Sequence, residues 1–146
     1  MIEPAIGPLA TLLRREVSEE VVVDAVWALS YLADGENDRI QMVMNAGITQ
    51  ELVNRLSENN TALLTPLVRT LGNFVTGTDE QTQAVVDAGV LQHMAKLINH
   101  PNVSCRKCHD TTRVSSFLYN ANLSCARRKT FGKRPAGFCP TLLLAA

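Results

Sequence analysis

The residues best suited to chemistry lie in the last third of the chain. Cys105-Arg-Lys-Cys108-His109 matches the Cys-x-x-Cys-His pattern that attaches c-type haem. No other feature of a cytochrome surrounds it, and a five-residue pattern arises easily by chance. We therefore assign no haem to this chain.

Zinc is the second chemistry that these cysteines could support. Cys125 and Cys139 would complete a four-cysteine set with Cys105 and Cys108. Zinc motifs of this kind combine two closely spaced cysteine pairs, and the second close pair is missing here. We predict no metal and no cofactor. The repeats described below carry no Ser/His/Asp set and no phosphate-binding loop, so we also predict that the protein is not an enzyme.

Two residue pairs are suited to binding a peptide. Trp27 and Tyr31 are four residues apart, as are Arg69 and Asn73, so on a helix each pair lies on one face. An indole ring attracts a cation by about 0.5–2 kcal/mol, depending on desolvation. The amide of Asn73 can hydrogen-bond the backbone of an extended peptide. The alternative is that it hydrogen-bonds the backbone at the end of its own helix. On spacing alone, a core position is favoured for Trp27.

A 42-residue repeat places these pairs on equivalent helices. Such a period is typical of HEAT and armadillo arrays, in which helical units stack on one another. The residues that recur at this offset are Ile6 with Ile48 and Val90, Trp27 with Arg69, Leu29 with Leu71, and Gly35 with Gly77.

Apolar residues at three- and four-residue spacing predict only helices. We expect Ser18 to cap the second helix, Pro66 to lie near the start of the fifth, and Gly35 and Gly77 to end the two long helices as C′ glycines. The fold class is therefore an all-α solenoid of HEAT or armadillo type, with two near-complete repeats and a truncated third over residues 1–103; the resemblance described below implies the armadillo type. The predicted helices are Ala5–Arg15, Val17–Ala33, Asp38–Asn45, Ile48–Ser57, Leu63–Thr76, Glu80–Asp87 and Val90–Asn99.

The charges divide the chain after Ser104. Residues 1–104 contain six Lys/Arg and thirteen Asp/Glu, a net charge of −7, whereas residues 105–146 contain eight Lys/Arg and one acid, a net charge of +7. We predict that residues 104–146 form a divergent, disordered tail without repeats. Its basic cluster, residues 127–134, is typical of a localisation signal or a nucleic-acid patch, or could occupy the acidic groove of its own chain.

Two long strings carry a resemblance to a known family. DAVWALSYLADG at residues 24–35 and RTLGNFVTGTDEQTQ at residues 69–83 resemble consecutive mid-array repeats of the importin-α family, and the resemblance runs from about Ile6 to Val103. It implies a right-handed superhelix of armadillo repeats whose third helices line a groove for Lys/Arg-rich import signals.

The resemblance also implies which residues contact the peptide. The residue in the usual Trp place, Arg69, would repel a basic peptide, so we expect it to pair with an acid. Asp79 can alternatively serve as a helix N-terminal charge. The full set is Asp24 at the edge of the major signal site; Trp27, Tyr31 and Arg69 between the two sites; and Asn73, Val75, Thr76, Asp79 and Thr82 at the minor site.

The expected partners are basic nuclear-localisation-signal peptides of cargo proteins. Importin-β is expected for the full-length family, although its basic N-terminal binding segment is absent from this sequence. We expect no membrane or nucleic-acid partner, a location in cytoplasm and nucleus, weak signal binding and marginal stability. The alternatives are another armadillo scaffold protein or a non-functional truncated product.

Overall fold

The computed structural model describes residues 3–14, 17–58 and 60–98. Its seven helices, and the absence of strands among these residues, confirm the all-helical prediction. The basic tail, with its cysteines and the predicted boundary at 103/104, lies outside them. None of the described helices is both long enough and apolar enough to cross a membrane. The helices are α1 (Glu3–Arg14), α2 (Glu19–Leu32), α3 (Asn37–Asn45), α4 (Thr49–Arg55), α5 (Thr61–Phe74), α6 (Asp79–Asp87) and α7 (Val90–Ile98).

The 42-residue period appears in the helix positions. The long helices α2 and α5 begin at Glu19 and Thr61, and the short helices α3 and α6 begin at Asn37 and Asp79, 42 residues apart in both cases. One complete unit is therefore α3–α4–α5. The pair α1–α2 ends the preceding unit, and α6–α7 begins the next.

The start of α5 differs from the prediction by two residues. Asn60 is its N-cap, and its side-chain oxygen accepts bonds from the backbone N–H groups of Ala62 and Leu63 at 3.0 and 3.4 Å. The helix therefore begins at Thr61, and Pro66 lies in the second turn, where its missing N–H removes one helical bond. Ser18 occupies the N-cap position of α2 as predicted, but its side chain makes no capping bond.

The predicted C′ glycines are wrong. The glycines with positive φ are Gly47 (φ 68°) and Gly89 (φ 88°), directly after the C-caps of the short helices. Gly35 and Gly77 lie two residues after the C-caps of the long helices, whereas Gly47 and Gly89 lie one residue after theirs, and neither Gly35 nor Gly77 has a positive φ. Gly77 is constrained instead by close approach, because an added Cβ would overlap the side-chain oxygen of Gln81.

One apolar core runs through all the repeats. The repeat-equivalent residues Leu29 and Leu71 are both fully buried, and so is Phe74 at the end of α5. Burying each such side chain contributes about 1.5–3 kcal/mol. The helices α2 and α5 pack side by side as the main contact between repeats, so residues on one long helix lie next to those on the other.

Hydrogen bonds between units satisfy helix C-terminal carbonyls. Arg14 Nη2 donates to the carbonyls of Ala46 and Gly47 at 2.9 and 3.2 Å. Gln50 Nε2 donates to the carbonyl of Ala88, the repeat equivalent of Ala46, at 3.3 Å. The carbonyl groups at the C-terminal ends of α3 and α6 have no partner within the helix, and these side chains provide one.

Candidate functional site

Five of the nine predicted site residues lie on α2 and α5, which run side by side. We use the term α2–α5 face for Asp24, Trp27 and Tyr31 on α2 with Arg69 and Asn73 on α5. Because α2 and α5 pack directly, Arg69 lies against Trp27 and Tyr31, which are 42 and 38 positions earlier in the sequence.

Trp27 and Tyr31 form a stacked aromatic pair on α2. Their ring centroids are 6.1 Å apart with an interplanar angle of 27°. Tyr31 is exposed, with 58% of its surface accessible to solvent, and Trp27 is half-buried. Trp27 is therefore partly exposed, whereas spacing alone favoured a core position and the family resemblance a peptide-binding one.

Arg69 already places a cation on this aromatic pair. Its Cζ lies 5.0 Å from the Tyr31 centroid and 5.9 Å from the Trp27 centroid, both within cation–π range. Its Nη2 lies 3.2 Å from Asp34 Oδ2, so the expected pairing with an acid is present. The Asp34 side chain is 56% exposed, and such a pair contributes at most about 1 kcal/mol.

Packing against the rings has a cost for Arg69. Its Nε is buried without a hydrogen-bond partner. A buried unsatisfied donor costs roughly 1–3 kcal/mol, which offsets part of the cation–π and ionic gain. The guanidinium is therefore held weakly on the aromatic pair rather than locked there.

Asn73 bonds the neighbouring helix. Its Nδ2 donates to the Ser30 carbonyl at 2.9 Å, and the side chain is buried. Ser30 Oγ in turn donates to the Trp27 carbonyl at 2.8 Å. The bond at the end of its own helix that we considered is not the one formed. An asparagine amide has two donor hydrogens and an acceptor oxygen, so one bond does not exhaust its capacity.

The remaining predicted residues divide by exposure. Val75 and Thr82 are buried, and Thr82 Oγ1 lies 3.3 Å from the Val75 carbonyl and 3.1 Å from that of Thr78. Thr76 and Asp79 are exposed, with Asp79 in the first turn of α6. The two exposed side chains lie at the end of α5 and the start of α6, and the assignment of all four to a peptide site stays a prediction.

Sequence reasoning predicted Asp24 but missed two other carboxylates at this face, Glu20 and Asp34. Glu20 and Asp24 are exposed on α2 and one turn apart, and Asp24 lies one turn before Trp27. The spacing 20, 24, 27, 31 is a helical face and could have identified Glu20. No sequence signal links Asp34 to Arg69, since their contact depends on how α2 and α5 cross. The α2 surface thus carries two carboxylates and two aromatic rings along one face, a combination suited to cations.

The described residues contain no group of three or more His, Cys, Asp or Glu side chains that could hold a metal ion. The four tail cysteines fall outside the part of the chain that the structure describes. The groups present at the α2–α5 face, namely carboxylates, two aromatic rings, a guanidinium and an amide, can bind a ligand by charge, cation–π contacts and hydrogen bonds.

Comparison with sequence families identifies the repeats. The family model for the armadillo/beta-catenin-like repeat matches residues 1–34 and 78–107. Importin subunit alpha-1a of Oryza sativa subsp. japonica is 51% identical over 79 residues, which are 54% of this chain and 15% of that protein. Importin subunit alpha-3 of Arabidopsis thaliana is 46% identical over 80 residues, 55% of this chain and 15% of that protein. The chain thus matches about one seventh of the length of these relatives.

Solved structures support the same architecture. A designed armadillo repeat protein is 31% identical with a TM-score of 0.71, covering 82% of this chain and 48% of that one. A second designed armadillo repeat protein, solved in complex with the peptide (KR)4, is 25% identical with a TM-score of 0.68, covering 90% of this chain and 59% of that one. The helical repeat array predicted from the 42-residue period, and the armadillo type implied by the family resemblance, are both confirmed.

Proposed function

Because the armadillo repeats of this chain belong to the importin-α family, we propose that it is part of a nuclear-import adaptor that binds lysine- and arginine-rich peptides at the α2–α5 face. The observation that carries this proposal is the guanidinium of Arg69 over the rings of Trp27 and Tyr31. An aromatic pair that accepts the chain's own cation is chemically able to accept a peptide's cation.

Charge supports the same class of ligand. The net charge of −7 over residues 1–104 attracts basic segments over long range. On the same helix, Asp24 lies one turn before Trp27 and Glu20 one turn before Asp24, and these exposed carboxylates favour cations over neutral side chains. The designed armadillo protein whose structure contains a (KR)4 peptide offers a precedent for basic-peptide binding on this fold.

Arg69 limits the affinity of this face. A lysine approaching the aromatic pair must displace the guanidinium or bind beside it, and like charges repel. We therefore expect weak binding from these repeats alone, with stronger binding where further repeats add equivalent faces. The peptides are the nuclear-localisation signals of cargo proteins, importin-β is the partner of the whole adaptor, and the place of action is cytoplasm and nucleus. The role is transport and not catalysis, in keeping with relatives that are importin subunits.

A fluorescence-anisotropy titration tests the proposal. A labelled (KR)4 peptide is titrated with the whole chain at about 50 and 200 mM salt, with Trp27→Ala and Asp24→Lys as variants. Asp38→Lys is the matched control for Asp24→Lys, because it makes the same change in charge and Asp38 is exposed on α3, outside the α2–α5 face.

Saturable binding that weakens with salt and with either variant, but not with the control, supports the proposal. Removing the indole should reduce affinity about two- to tenfold, since a cation–π contact at a partly exposed site is worth about 0.5–1.4 kcal/mol. Affinity that is unaffected by both variants would show that basic peptides bind elsewhere or only non-specifically.

A further inference from the structure

The turn between α2 and α3 contains the only Asp-Gly step of the sequence, Asp34-Gly35. We propose that Asp34 is a site of spontaneous isoaspartate formation, and that Arg69 slows this modification by holding the carboxylate. The reaction needs no enzyme and no reagent except water. It alters the acid partner of Arg69, and it does not depend on whether the α2–α5 face binds peptides.

The modification proceeds through an attack by the backbone on a side chain. The Gly35 nitrogen forms a bond to Cγ of Asp34, while the amide proton of Gly35 and the hydroxyl of the carboxyl group leave together as one water. The resulting five-membered succinimide then takes up one water. Breaking the new Cγ–N bond restores aspartate. Breaking the original backbone C–N bond instead leaves the chain running through Cβ and frees the α-carboxylate, without a change in mass or charge.

The local structure leaves this step open. Asp34 and Gly35 are exposed and lie between the end of α2 at Leu32 and the start of α3 at Asn37. Among residues 3–14, 17–58 and 60–98, no acceptor is hydrogen-bonded to the Gly35 N–H, so no bond of that group must break before it reacts. Glycine has no Cβ to obstruct the approach of Cγ, and its backbone rotates more freely than that of other residues.

Two other aspartates of the same region lack these properties. Asp24 lies inside α2, where the next backbone N–H belongs to the helical hydrogen-bond ladder. Asp38 lies in the first turn of α3 and is followed by Arg39, whose N–H donates to the Glu36 carbonyl at 2.9 Å. Both are followed by residues with a side chain. They therefore serve as internal references for Asp34.

Arg69 restrains the reactive carboxyl group from a different helix. Its Nη2 lies 3.2 Å from Oδ2 of Asp34, and Cγ must leave this contact to reach the Gly35 nitrogen. Because the contact is partly exposed, its loss should speed the reaction by up to about fivefold, the equivalent of about 1 kcal/mol. Isomerisation adds a methylene to the backbone of the turn and moves the carboxylate, so it also removes the acid partner of Arg69.

Peptide mapping after prolonged incubation of the whole folded chain tests the inference. Trypsin cleaves after Arg15 and Arg39, so residues 16–39 form one peptide that contains Asp24, Asp34 and Asp38. Mass spectrometry with electron-transfer fragmentation locates isoaspartate within it. The urea-unfolded chain gives the rate without the fold, and circular dichroism verifies that the variants remain helical.

Three variants complete the design. Arg69→Ala removes the restraint. Arg14→Ala is its matched control, because it makes the same change in charge and removes hydrogen bonds to Ala46 and Gly47, away from the turn. Any acceleration that comes only from lower stability therefore appears in both arginine variants. Asp34→Glu keeps a carboxylate but would have to close a six-membered ring, which forms far more slowly.

The expected result is isoaspartate at Asp34 alone, up to about fivefold faster in Arg69→Ala, unchanged in Arg14→Ala and absent in Asp34→Glu. A folded chain without isoaspartate, when the unfolded chain forms it, overturns the proposed site. Equal rates in the unaltered chain and Arg69→Ala, or equal acceleration in both arginine variants, overturns the role of Arg69. Because the readout is covalent, failure of the chain to bind (KR)4 refutes the proposed function and leaves this inference standing.

Discussion

Replacing Arg69 by alanine should strengthen the binding of basic peptides. The guanidinium lies 5.0 and 5.9 Å from the ring centroids of Tyr31 and Trp27 and so competes with a peptide cation for the same rings. At a partly exposed site, this self-contact is worth about 0.5–1 kcal/mol. A peptide that no longer has to displace it should bind about two- to fivefold more tightly. The carboxylate of Asp34, released from its ion pair, acts in the same direction.

The stability cost of this substitution should be small. The ion pair with Asp34 is partly exposed and contributes at most about 1 kcal/mol. The unsatisfied Nε of Arg69 is removed at the same time, which offsets part of the loss. We expect the free energy of unfolding to fall by less than about 1 kcal/mol, so that a gain in affinity is not masked by unfolding.

The assay is the (KR)4 titration by fluorescence anisotropy, with urea denaturation of the same samples. Arg14→Ala is the matched control, because it makes the same change in net charge but Arg14 bonds the carbonyls of Ala46 and Gly47, away from the face. Tighter binding by Arg69→Ala alone supports the reasoning. Weaker binding by Arg69→Ala would refute the reasoning, because it would mean that Arg69 itself contacts the peptide. An equal gain in affinity in Arg69→Ala and Arg14→Ala would show that the change in net charge alone explains the effect.

Three further predictions concern stability and are checked by urea denaturation. Gln81→Ala should lower the free energy of unfolding by about 2–4 kcal/mol, because its buried side chain donates two bonds to α3 and accepts one from the Thr78 N–H; an unchanged midpoint would contradict this network. Gly72→Ala should stabilise the protein by about 0.5–1 kcal/mol, because Gly72 lies inside α5 and an added Cβ meets nothing within 4 Å. Gly89→Ala should instead destabilise the protein by about 1–2 kcal/mol, because the φ of Gly89 is 88°. Stability changes of the same sign would contradict the backbone conformations of these two glycines. Phe74→Ala should lower the free energy of unfolding by about 3–5 kcal/mol, because Phe74 is fully buried and its removal leaves a cavity. A decrease below about 1 kcal/mol would show that the surrounding side chains move to fill the cavity.

Helix positions and the repeat were readable from the sequence because both depend on local pattern. All seven helices lie within about two residues of their predicted bounds, since apolar spacing and helix termini are encoded within a few neighbouring residues. Because these signals involve only a few neighbouring residues, they do not locate the last residue of a helix exactly. Gly35 and Gly77 were predicted as C′ residues, but each long helix ends earlier, and a one-residue difference decides which glycine is left-handed.

The candidate site was predictable only in part. The spacing of Trp27 and Tyr31 indicated one helix face, and the expectation that Arg69 pairs with an acid followed from its charge. Which acid could not be inferred, because Asp34 is 35 residues away and approaches Arg69 only through the packing of α5 on α2. The bond from Asn73 to the Ser30 carbonyl depends on the same packing.

The sequence by itself therefore determined the helices, their 42-residue period and the charge of the chain, all of which are properties of neighbouring residues or of composition. Only the tertiary structure decided that a resident arginine covers the aromatic pair and that Val75 and Thr82 face the interior. The physical reason is that such contacts depend on the distance and angle between packed helices, which many side chains set together.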